Sequence, residues 1–470
     1  MMKSVLIFFC VLTVSCTEVV LDNVSDRVPM DEQKSGTLTI EDALKELSDF
    51  NESLYGNIDV RSNDCISEIA ICKIPSTKGT DSDEIIAYVV NYENDKGFAV
   101  INADPLSIPI VARTESGYMD SERLNSKILS IIGDYQTKSG NSLEDTIDSS
   151  SPEDFIYELI ASSLATTPRS IVDTLSITYG EWGVMNLYGP LVTVKWNQTY
   201  PFNLSIPPDS LWLTKNYNYY RGLPPVGCTN VAVAQILTTI RQPSRAPGTN
   251  TTYDWNVFKS LSNYNNVSDY LPGRASYPFD TNPILKSKVE DLADFLYTIY
   301  DKNHSKVTSG GTSSNILFAL ETMQELNSEY FANAEIIEYR NNNSNLNGCI
   351  NCIKNGKPIY CCGFYIDDTK STGNDKKSGH AWVIDGYTER KRMVKLIVED
   401  SDGNQQTMNR IQNGLFLHIN WGYCGLYDGY YYKGNFDMAQ REDYDDVIDT
   451  NPYTGNGSTS YSIGIEYIIY

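Results

Sequence analysis

Hydrophobic residues recur at helical spacing near the start of the chain. In TLTIEDALKELSDF, the apolar residues Ile40, Ala43, Leu44 and Leu47 fall on one face of a helix, and Thr39 stands where an N-cap is expected. The pattern predicts a short amphipathic helix. Further along, EIIAYVVNYENDKGFAVINAD holds two apolar runs around the turn-forming ENDKG, which predicts a β-hairpin.

The pattern changes in the second half of the chain. Residues 134–170 are polar, whereas the sequence from GPLVTVKWNQTYPFN onward is aromatic and rich in Gly and Asn, so we place a domain boundary between 165 and 188. In this half, PPVGCTNVAVAQIL predicts a helix buried on most sides. The segments GHAWVIDGY and LFLHINWGYCG predict strands.

The first sixteen residues, MMKSVLIFFCVLTVSC, carry one lysine and then an apolar run that ends in a small residue before Cys16. This predicts a signal peptide over 1–16, which is too short for a stable membrane span. Ser15 and Cys16 also suit lipid attachment at Cys16 in the manner of a bacterial lipoprotein, although Thr13 stands where leucine is usual. Lipid attachment and simple secretion both stay open. We expect an exported chain, either secreted or an outer-surface lipoprotein of a bacterium.

The composition sets outer limits on the function. The chain has 470 residues, enough for two or three domains, and its 60 acidic and 37 basic side chains give a formal net charge of -23. Nucleic acid is not expected as a partner, because its phosphate backbone would be repelled. The polar and acidic residues 17–36 predict a linker.

Export changes what the cysteines imply. Eight of the ten cysteines follow the predicted signal segment, and an oxidising compartment favours disulfides among them, with Cys65 and Cys72 as one candidate pair. If Cys228 stays a free thiol, an odd number remains, and Cys424 is the candidate for a second free thiol.

A metal knuckle is the alternative use of four other cysteines, Cys349, Cys352, Cys361 and Cys362. Structural zinc sites space two such pairs further apart, and no histidine stands nearby. We therefore predict no metal site.

The position of Cys228 suggests that its thiol is reactive. A thiol in the first turn of a helix faces unpaired N–H groups and the positive end of the helix dipole, so we expect a lowered pKa and a favoured thiolate. Gly227 leaves room for a substrate backbone. The alternative is that Cys228 only fills a small apolar space.

A cysteine nucleophile that acts on amides needs a histidine as its acid and base, and the chain has three. His304 lies in a polar stretch typical of an exposed loop. Strand alternation places His380 on one face with Trp382, and His418 on one face with Asn420. The residues favour His380 over His418 as the partner of Cys228.

These segments together resemble the streptopain family of papain-like cysteine peptidases. The similarity covers residues 188–470 and rests on motifs that occur in the family's order and spacing: WNQTYPFNLSIP, PVGCTNVAVAQIL, YDWN, SGGTSS, GHAWVIDGY and HINWGYCGLYDGYY. The earlier segment YVVNYENDKGFAVINADPLSIPIVARTESGYMD is similar to the inhibitory propeptide of such peptidases and to streptopain inhibitors. The resemblance implies a zymogen.

The resemblance also implies roles for single residues. Cys228 matches the nucleophile and His380 the general acid and base. Gln198 matches the side-chain donor of the oxyanion hole, with the Cys228 N–H as second donor. Asn420 and Trp421 match the segment that orients and covers the histidine. His418 matches a structural position.

One loop and two departures from the family pattern stand out. TSGGTSS matches a loop near the substrate cleft, and it implies substrate contact by Ser309, Gly310, Gly311 and Thr312, with a plain flexible turn as the alternative. Tyr423-Cys424-Gly425 stands where the family shows an aromatic residue and two glycines. Thr229-Asn230 stands where small apolar residues are usual.

The resemblance implies an α+β fold, with a papain-like catalytic domain after a small α+β prodomain. In that fold an N-terminal helical part carries the nucleophile helix, and an antiparallel sheet carries the histidine and the Asn/Trp segment. The expected divisions of the chain are a signal peptide at 1–16, a linker at 17–36, an inhibitory propeptide at 37–170, an activation linker at 171–187 and the peptidase at 188–470.

The implied function is that of a secreted cysteine endopeptidase that needs no cofactor, cleaves proteins or peptides and is inhibited by its own propeptide. The alternative is a catalytically impaired surface-binding or peptidase-inhibitor-like protein. Acyl transfer to an amine would use the same residues but would need an acceptor site.

Overall fold

The structure is a computed structural model, and it describes only part of the chain. The described residues are 37–55, 66–74, 84–104, 107–119, 171–210, 212–213, 222–248, 252–261, 280–308, 311–338, 343–366, 377–400, 403–432, 437–438, 459–460 and 463–470. The predicted signal peptide and the linker at 17–36 lie outside these residues, as does the polar stretch 134–170.

The N-terminal part forms one helix packed on four strands. Thr39 accepts a hydrogen bond from the backbone N–H of Asp42 at 3.1 Å, which caps the helix as the sequence predicts. The two central strands form the predicted hairpin, with Val89 opposite Val100. The elements are α1 (Ile40–Tyr55), β1 (Ile66–Ile74), β2 (Glu84–Tyr92), β3 (Phe98–Asn102) and β4 (Ile110–Thr114).

Residues 171–187, predicted as an activation linker, contain two strands, β5 (Ile171–Tyr179) and β6 (Gly183–Tyr188). Alternating branched residues in IVDTLSITY suit an extended strand. Ile177 and Tyr179 pack against the apolar side chains of a neighbouring long strand that carries Val394 and Leu396. This segment is therefore part of a sheet rather than a linker in structure, and its role in activation stays a prediction.

A helical layer surrounds the helix that begins at Cys228. Residues 229–238 of this helix are all buried, as the sequence predicts. The elements of this layer and its loops are α2 (Cys228–Ile240), α3 (Trp255–Ser260), α4 (Pro283–Lys302), β7 (Lys306–Thr308), β8 (Gly311–Ser313), α5 (Ile316–Leu326), β9 (Glu335–Glu338) and α6 (Asn343–Lys354).

The C-terminal part supplies the strands that carry the two predicted histidine motifs. These strands are β10 (Ile359–Ile366), β11 (Lys377–Asp400), β12 (Gln405–Asn420), β13 (Gly429–Tyr432), β14 (Asp437–Met438), β15 (Thr459–Ser460) and β16 (Ile463–Ile469). The main sheet is antiparallel and runs β1-β2-β3-β4-β13-β12-β11-β10-β16-β9, with β5 and β6 also paired to β11.

The N-terminal strands β1–β4 and the C-terminal strands thus form one sheet. They meet where β4 pairs with β13, with Thr114 opposite Gly429. A Cβ at Gly429 would lie only 2.3 Å from the carbonyl oxygen of Arg113, so the close approach of the two strands requires glycine there.

Two hydrophobic cores lie on opposite faces of β11. Trp382 and Ile384 belong to a core shared with the N-terminal strands, whereas Ala381 and Val383 belong to the core of the helical layer. This confirms the predicted alternation along GHAWVIDGY. None of the helices in the described part of the chain combines the length and hydrophobicity that a membrane crossing needs.

Candidate active site

The candidate nucleophile stands at the first residue of α2, after Gly227, whose φ is +96°. Asn230 fixes this helix start. Its side-chain amide donates to the carbonyl oxygen of Val226 at 2.6 Å and to the hydroxyl of Ser305 at 2.9 Å, and it accepts from Asn303 at 2.6 Å. The departure at Thr229-Asn230 therefore has a structural reason, since Asn230 ties the helix to the loop after α4.

The thiol of Cys228 lies between α2 and β11. Burial raises its pKa, and hydrogen bonds from the backbone of Ala381 and Thr229 only partly oppose this. The expectation of a lowered pKa at the helix N-terminus is therefore wrong for this arrangement, because desolvation outweighs the helix dipole. In this structure the thiol is favoured over the thiolate.

His380 lies on β11 within a set of aromatic rings. Its Nε2 lies 3.0 Å from the carbonyl oxygen of Trp421, and its Nδ1 lies 3.1 Å from the hydroxyl of Tyr423. The Tyr423 ring stacks on the imidazole at 4.8 Å between centroids, and Trp382 lies at 6.2 Å. Burial lowers the pKa of His380 to about 4, although the hydrogen bond to Trp421 opposes this.

Trp421 and Asn420 make different hydrogen bonds in the structure. The Trp421 carbonyl is the group that meets the imidazole, and its buried indole donates to the hydroxyl of Tyr431 at 3.1 Å. The Asn420 side chain donates to the carbonyl oxygen of Val194 and accepts from Gln235, each at 3.0 Å. Asn420 thus joins β12 to α2, while Trp421 orients His380.

Gln198 and Thr312 approach the helix start from two sides. The backbone N–H of Val226 donates to the carbonyl oxygen of Gln198 at 2.7 Å, so the backbone of Gln198 is held against the chain two residues before Cys228. The hydroxyl of Thr312, on β8, donates to the carbonyl oxygen of Pro225 at 2.6 Å. A Cβ at Gly227 would lie 3.1 Å from Thr312. The predicted substrate loop therefore borders the nucleophile.

The rest of that loop is only partly described. Gly311 has a φ of +136°, which suits glycine. Ser309 and Gly310 lie outside the described residues, so their predicted substrate contact stays a prediction. His304 is exposed, as the sequence predicts, with its ring edge-on to Phe318 at 4.9 Å.

His418 lies in a buried set of charges that the sequence motifs did not reveal. Its Nδ1 is 2.6 Å from Asp385 and its Nε2 is 3.8 Å from Glu115. Burial alone would lower its pKa, but Asp385 and Glu115 outweigh this and raise it to about 10. Lys195 lies 3.7 Å from Glu115 and 3.9 Å from Asp428. His418 is therefore a buried cation with a structural role, as the family resemblance implied.

Glu115 in this set comes from the N-terminal part of the chain, just after β4. Burial raises the pKa of Asp428 to about 6, against the lowering effect of Lys195. No local sequence pattern marks these residues, because they lie far apart along the chain. Only the joining of β4 to β13 brings Glu115 to His418.

Helix α1 also rests on the long strands β11 and β12. Glu46 accepts hydrogen bonds from Arg392 and, at 2.8 Å, from the indole of Trp182, and the backbone carbonyl of Asp49 accepts from Arg390 at 3.1 Å. Phe50 packs edge-on against Phe416 with centroids 4.7 Å apart. Acidic and aromatic groups of α1 thus meet a basic and aromatic surface of β11 and β12.

Four cysteines lie in one hydrophobic core: Cys72, Cys349, Cys352 and Cys361. None of the seven cysteines among the described residues forms a disulfide, and Cys72 is one of them, while its candidate partner Cys65 lies outside the described part. Cys349 and Cys361 are buried, and burial raises the pKa of both thiols. Within the described ranges, no cluster of three or more His, Cys, Asp or Glu side chains is arranged to hold a metal ion.

Comparisons with known proteins agree with the two-part organisation. The model of the peptidase C10 family matches residues 196–431, which include Cys228, His380, Gln198, Asn420 and Trp421. The model of the Spi protease inhibitor matches residues 38–139. No curated protein matches the chain.

Two solved structures from Prevotella intermedia are similar at low identity. A mutant fragment of prointerpain A is 17% identical, covers 85% of this chain and 98% of its own, and has a TM-score of 0.41. Active wild-type interpain A, a cysteine protease, is 16% identical, covers 61% of this chain and 95% of its own, and has a TM-score of 0.38. The family model alone spans 236 of the 470 residues, and on that match the chain belongs to the peptidase C10 family.

Proposed function

We propose that the chain is the zymogen of an exported cysteine endopeptidase that cleaves proteins or peptides and is held inactive by its own propeptide. One observation carries the proposal: the peptidase family match contains a cysteine at a helix start next to the strand whose histidine is oriented by the Trp421 carbonyl. The match to a protease inhibitor over 38–139 supports the inhibitory role of the prodomain.

The proposed reaction is acyl transfer to Cys228. His380 takes the proton of the thiol, the thiolate attacks the scissile carbonyl carbon, and the Gln198 side chain and the Cys228 N–H stabilise the oxyanion. His380 then gives its proton to the leaving amine as the C–N bond breaks. Water, deprotonated by His380, hydrolyses the thioester and releases the carboxylic acid and the thiol.

The described arrangement supports a latent state. A raised thiol pKa and a lowered imidazole pKa both oppose formation of the thiolate–imidazolium pair. Activation must therefore change the surroundings of both groups, and the prodomain contacts at α1 and at Glu115 are the contacts that cleavage would release. Export, through the signal peptide at 1–16 with or without a lipid on Cys16, is part of the same proposal.

The test uses a protein that starts at residue 17, as wild type and as Cys228→Ala, incubated under reducing conditions. We expect the wild type to shorten by intact mass and to cleave casein, and the Cys228→Ala protein to stay whole. If both stay whole, and both stay inactive on casein after limited digestion with an added protease, the chain is a binding protein instead.

A further inference from the structure

The hydrogen-bond partners of His380 determine its tautomer. A backbone carbonyl can only accept, so the nitrogen that meets the Trp421 carbonyl, Nε2, carries the ring proton. In the neutral imidazole, Nδ1 then holds the lone pair. The Tyr423 hydroxyl, 3.1 Å from Nδ1, is therefore the donor in that hydrogen bond.

That lone pair is the one a thiol must reach. With Nε2 bound to a carbonyl, Nδ1 is the only ring nitrogen that can accept a proton from Cys228. The hydroxyl of Tyr423 occupies this position, and its ring lies almost parallel to the imidazole, at 7° and 4.8 Å. The thiol itself is bound by the backbone of Ala381 and Thr229.

The loop that carries Tyr423 is tied to the prodomain. This loop, residues 422–428, has Ser116 donating to the carbonyl oxygen of Gly425, and the N–H of Glu115 donating to the carbonyl oxygen of Asp428 at 2.7 Å. A Cβ at Gly117 would lie 2.5 Å from the ring of Tyr427, so the prodomain backbone packs directly on the loop. The prodomain thus fixes the position from which the Tyr423 hydroxyl reaches His380.

We propose that Tyr423 is a positioning residue that holds Nδ1 of His380 in the latent chain, and that release of residues 115–117 of the prodomain frees this nitrogen for Cys228. The proposal rests on the proposed peptidase function. It gives the hydroxyl of Tyr423 a role beyond stacking on the imidazole, because a phenylalanine at this place would stack but would not donate to Nδ1.

The test combines a spectroscopic and a kinetic measurement on the whole chain from residue 17. Imidazole ¹⁵N labelling is simple, because the chain has three histidines. In a Cys228→Ala background, Tyr423→Phe is expected to move the Nδ1 resonance of His380 downfield and to raise its pKa by about half to one unit, since the neutral form loses a hydrogen bond. With Cys228 present, Tyr423→Phe is expected to process itself about twofold to tenfold faster.

Two further variants sharpen the result. Ser116→Ala removes one hydrogen bond between the prodomain and the loop. We expect the Nδ1 resonance of His380 and the processing rate to change in the same direction as in Tyr423→Phe, but by less. Tyr470→Phe is the matched control, because it deletes a hydroxyl that donates to the carbonyl of Pro358 at 2.7 Å, away from His380. It should leave the His380 resonance and the processing rate unchanged.

An unmoved Nδ1 resonance in a chain that processes normally overturns this proposal alone. Slower processing of Tyr423→Phe also overturns it, since the hydroxyl would then assist the reaction. Absence of processing in wild type and variants alike, with no activity on casein, overturns the proposed function and this proposal together.

Discussion

The surroundings of His380 and His418 differ although both histidines are buried on neighbouring strands of one sheet. His380 lies among uncharged aromatic rings, and burial lowers its pKa to about 4. For His418 burial acts in the same direction, but Asp385 and Glu115 outweigh it and raise the pKa to about 10. The same side chain is therefore a neutral base in one place and a permanent cation in the other, and only the neutral one can accept a proton at neutral pH.

The groups that hold the two histidines also come from different parts of the chain. The group that orients His380 is a peptidase carbonyl, whereas one carboxylate that holds His418 comes from the prodomain. His418 therefore connects the two parts of the zymogen. His380 is connected to the prodomain through the loop at 422–428, which carries Tyr423.

Substituting each histidine in turn should give the largest contrast. His380→Gln is expected to lower the rate of processing by about 100-fold to 10,000-fold with little loss of stability, because it removes the acid and base. His418→Gln is expected to lower the free energy of unfolding by about 3–5 kcal/mol, because two buried carboxylates lose their cation. Processing rates and urea unfolding check both; a stable but inactive His418→Gln beside an active His380→Gln would exchange the roles.

The pH dependence of stability sharpens the same contrast. The folded pKa of His380 is below the unfolded value of about 6.5, so its contribution is present above that pH and is lost as pH falls toward 4. The folded pKa of His418 is above the unfolded value, so its contribution is complete below about 6.5 and is lost as pH rises through 10.

At its largest, the contribution is on the order of 3 kcal/mol for His380 and on the order of 5 kcal/mol for His418. Thermal unfolding of Cys228→Ala between pH 4 and 10.5 measures them. In that background, His380→Gln should flatten the acid side of the stability curve and His418→Gln the alkaline side. Equal flattening of both sides by either substitution would show that the two environments do not differ as described.

The smallest effects are expected at the contact between α1 and the peptidase. Glu46→Gln should lower the free energy of unfolding by about 2 kcal/mol, because a largely buried carboxylate accepts from both Arg392 and Trp182. Lys45→Gln is the matched control on the same helix. The Lys45 side chain, which pairs with Asp49, is 73% exposed. We therefore expect its substitution to change the free energy of unfolding by less than about 0.5 kcal/mol.

Urea unfolding of both variants in the Cys228→Ala background measures the two changes in the free energy of unfolding. Equal losses for Glu46→Gln and Lys45→Gln would mean that α1 is held by its apolar face alone, through contacts such as Phe50 on Phe416.

Local sequence patterns predicted the elements well. The cap at Thr39, the β2–β3 hairpin and the helix starting at Cys228 follow from residues within a few positions of one another. The alternation along GHAWVIDGY correctly predicted that successive side chains of this strand face opposite sides of the sheet. These features need no knowledge of distant segments.

What the sequence could not supply depends on long-range pairing. The strands at 171–188 form because β11 continues to Asp400 and offers them a partner, which a short motif around His380 does not indicate. The pKa of Cys228 rises because β11 covers the helix start, and burial of that kind cannot be inferred from the helix alone. The sequence also could not show whether the Trp421 carbonyl or the Asn420 side chain orients His380. The answer depends on the distant Gln235, whose side chain binds that of Asn420.

The most direct test of a latent Cys228 is its rate of alkylation by iodoacetamide at neutral pH, followed by peptide mass in the intact chain and again after processing. The account predicts slow alkylation in the intact chain and a rate at least about tenfold higher after processing, because the thiolate forms only when His380 Nδ1 can take the proton. An equal rate in both forms would contradict the account, since the thiol would then be as reactive under the prodomain as without it.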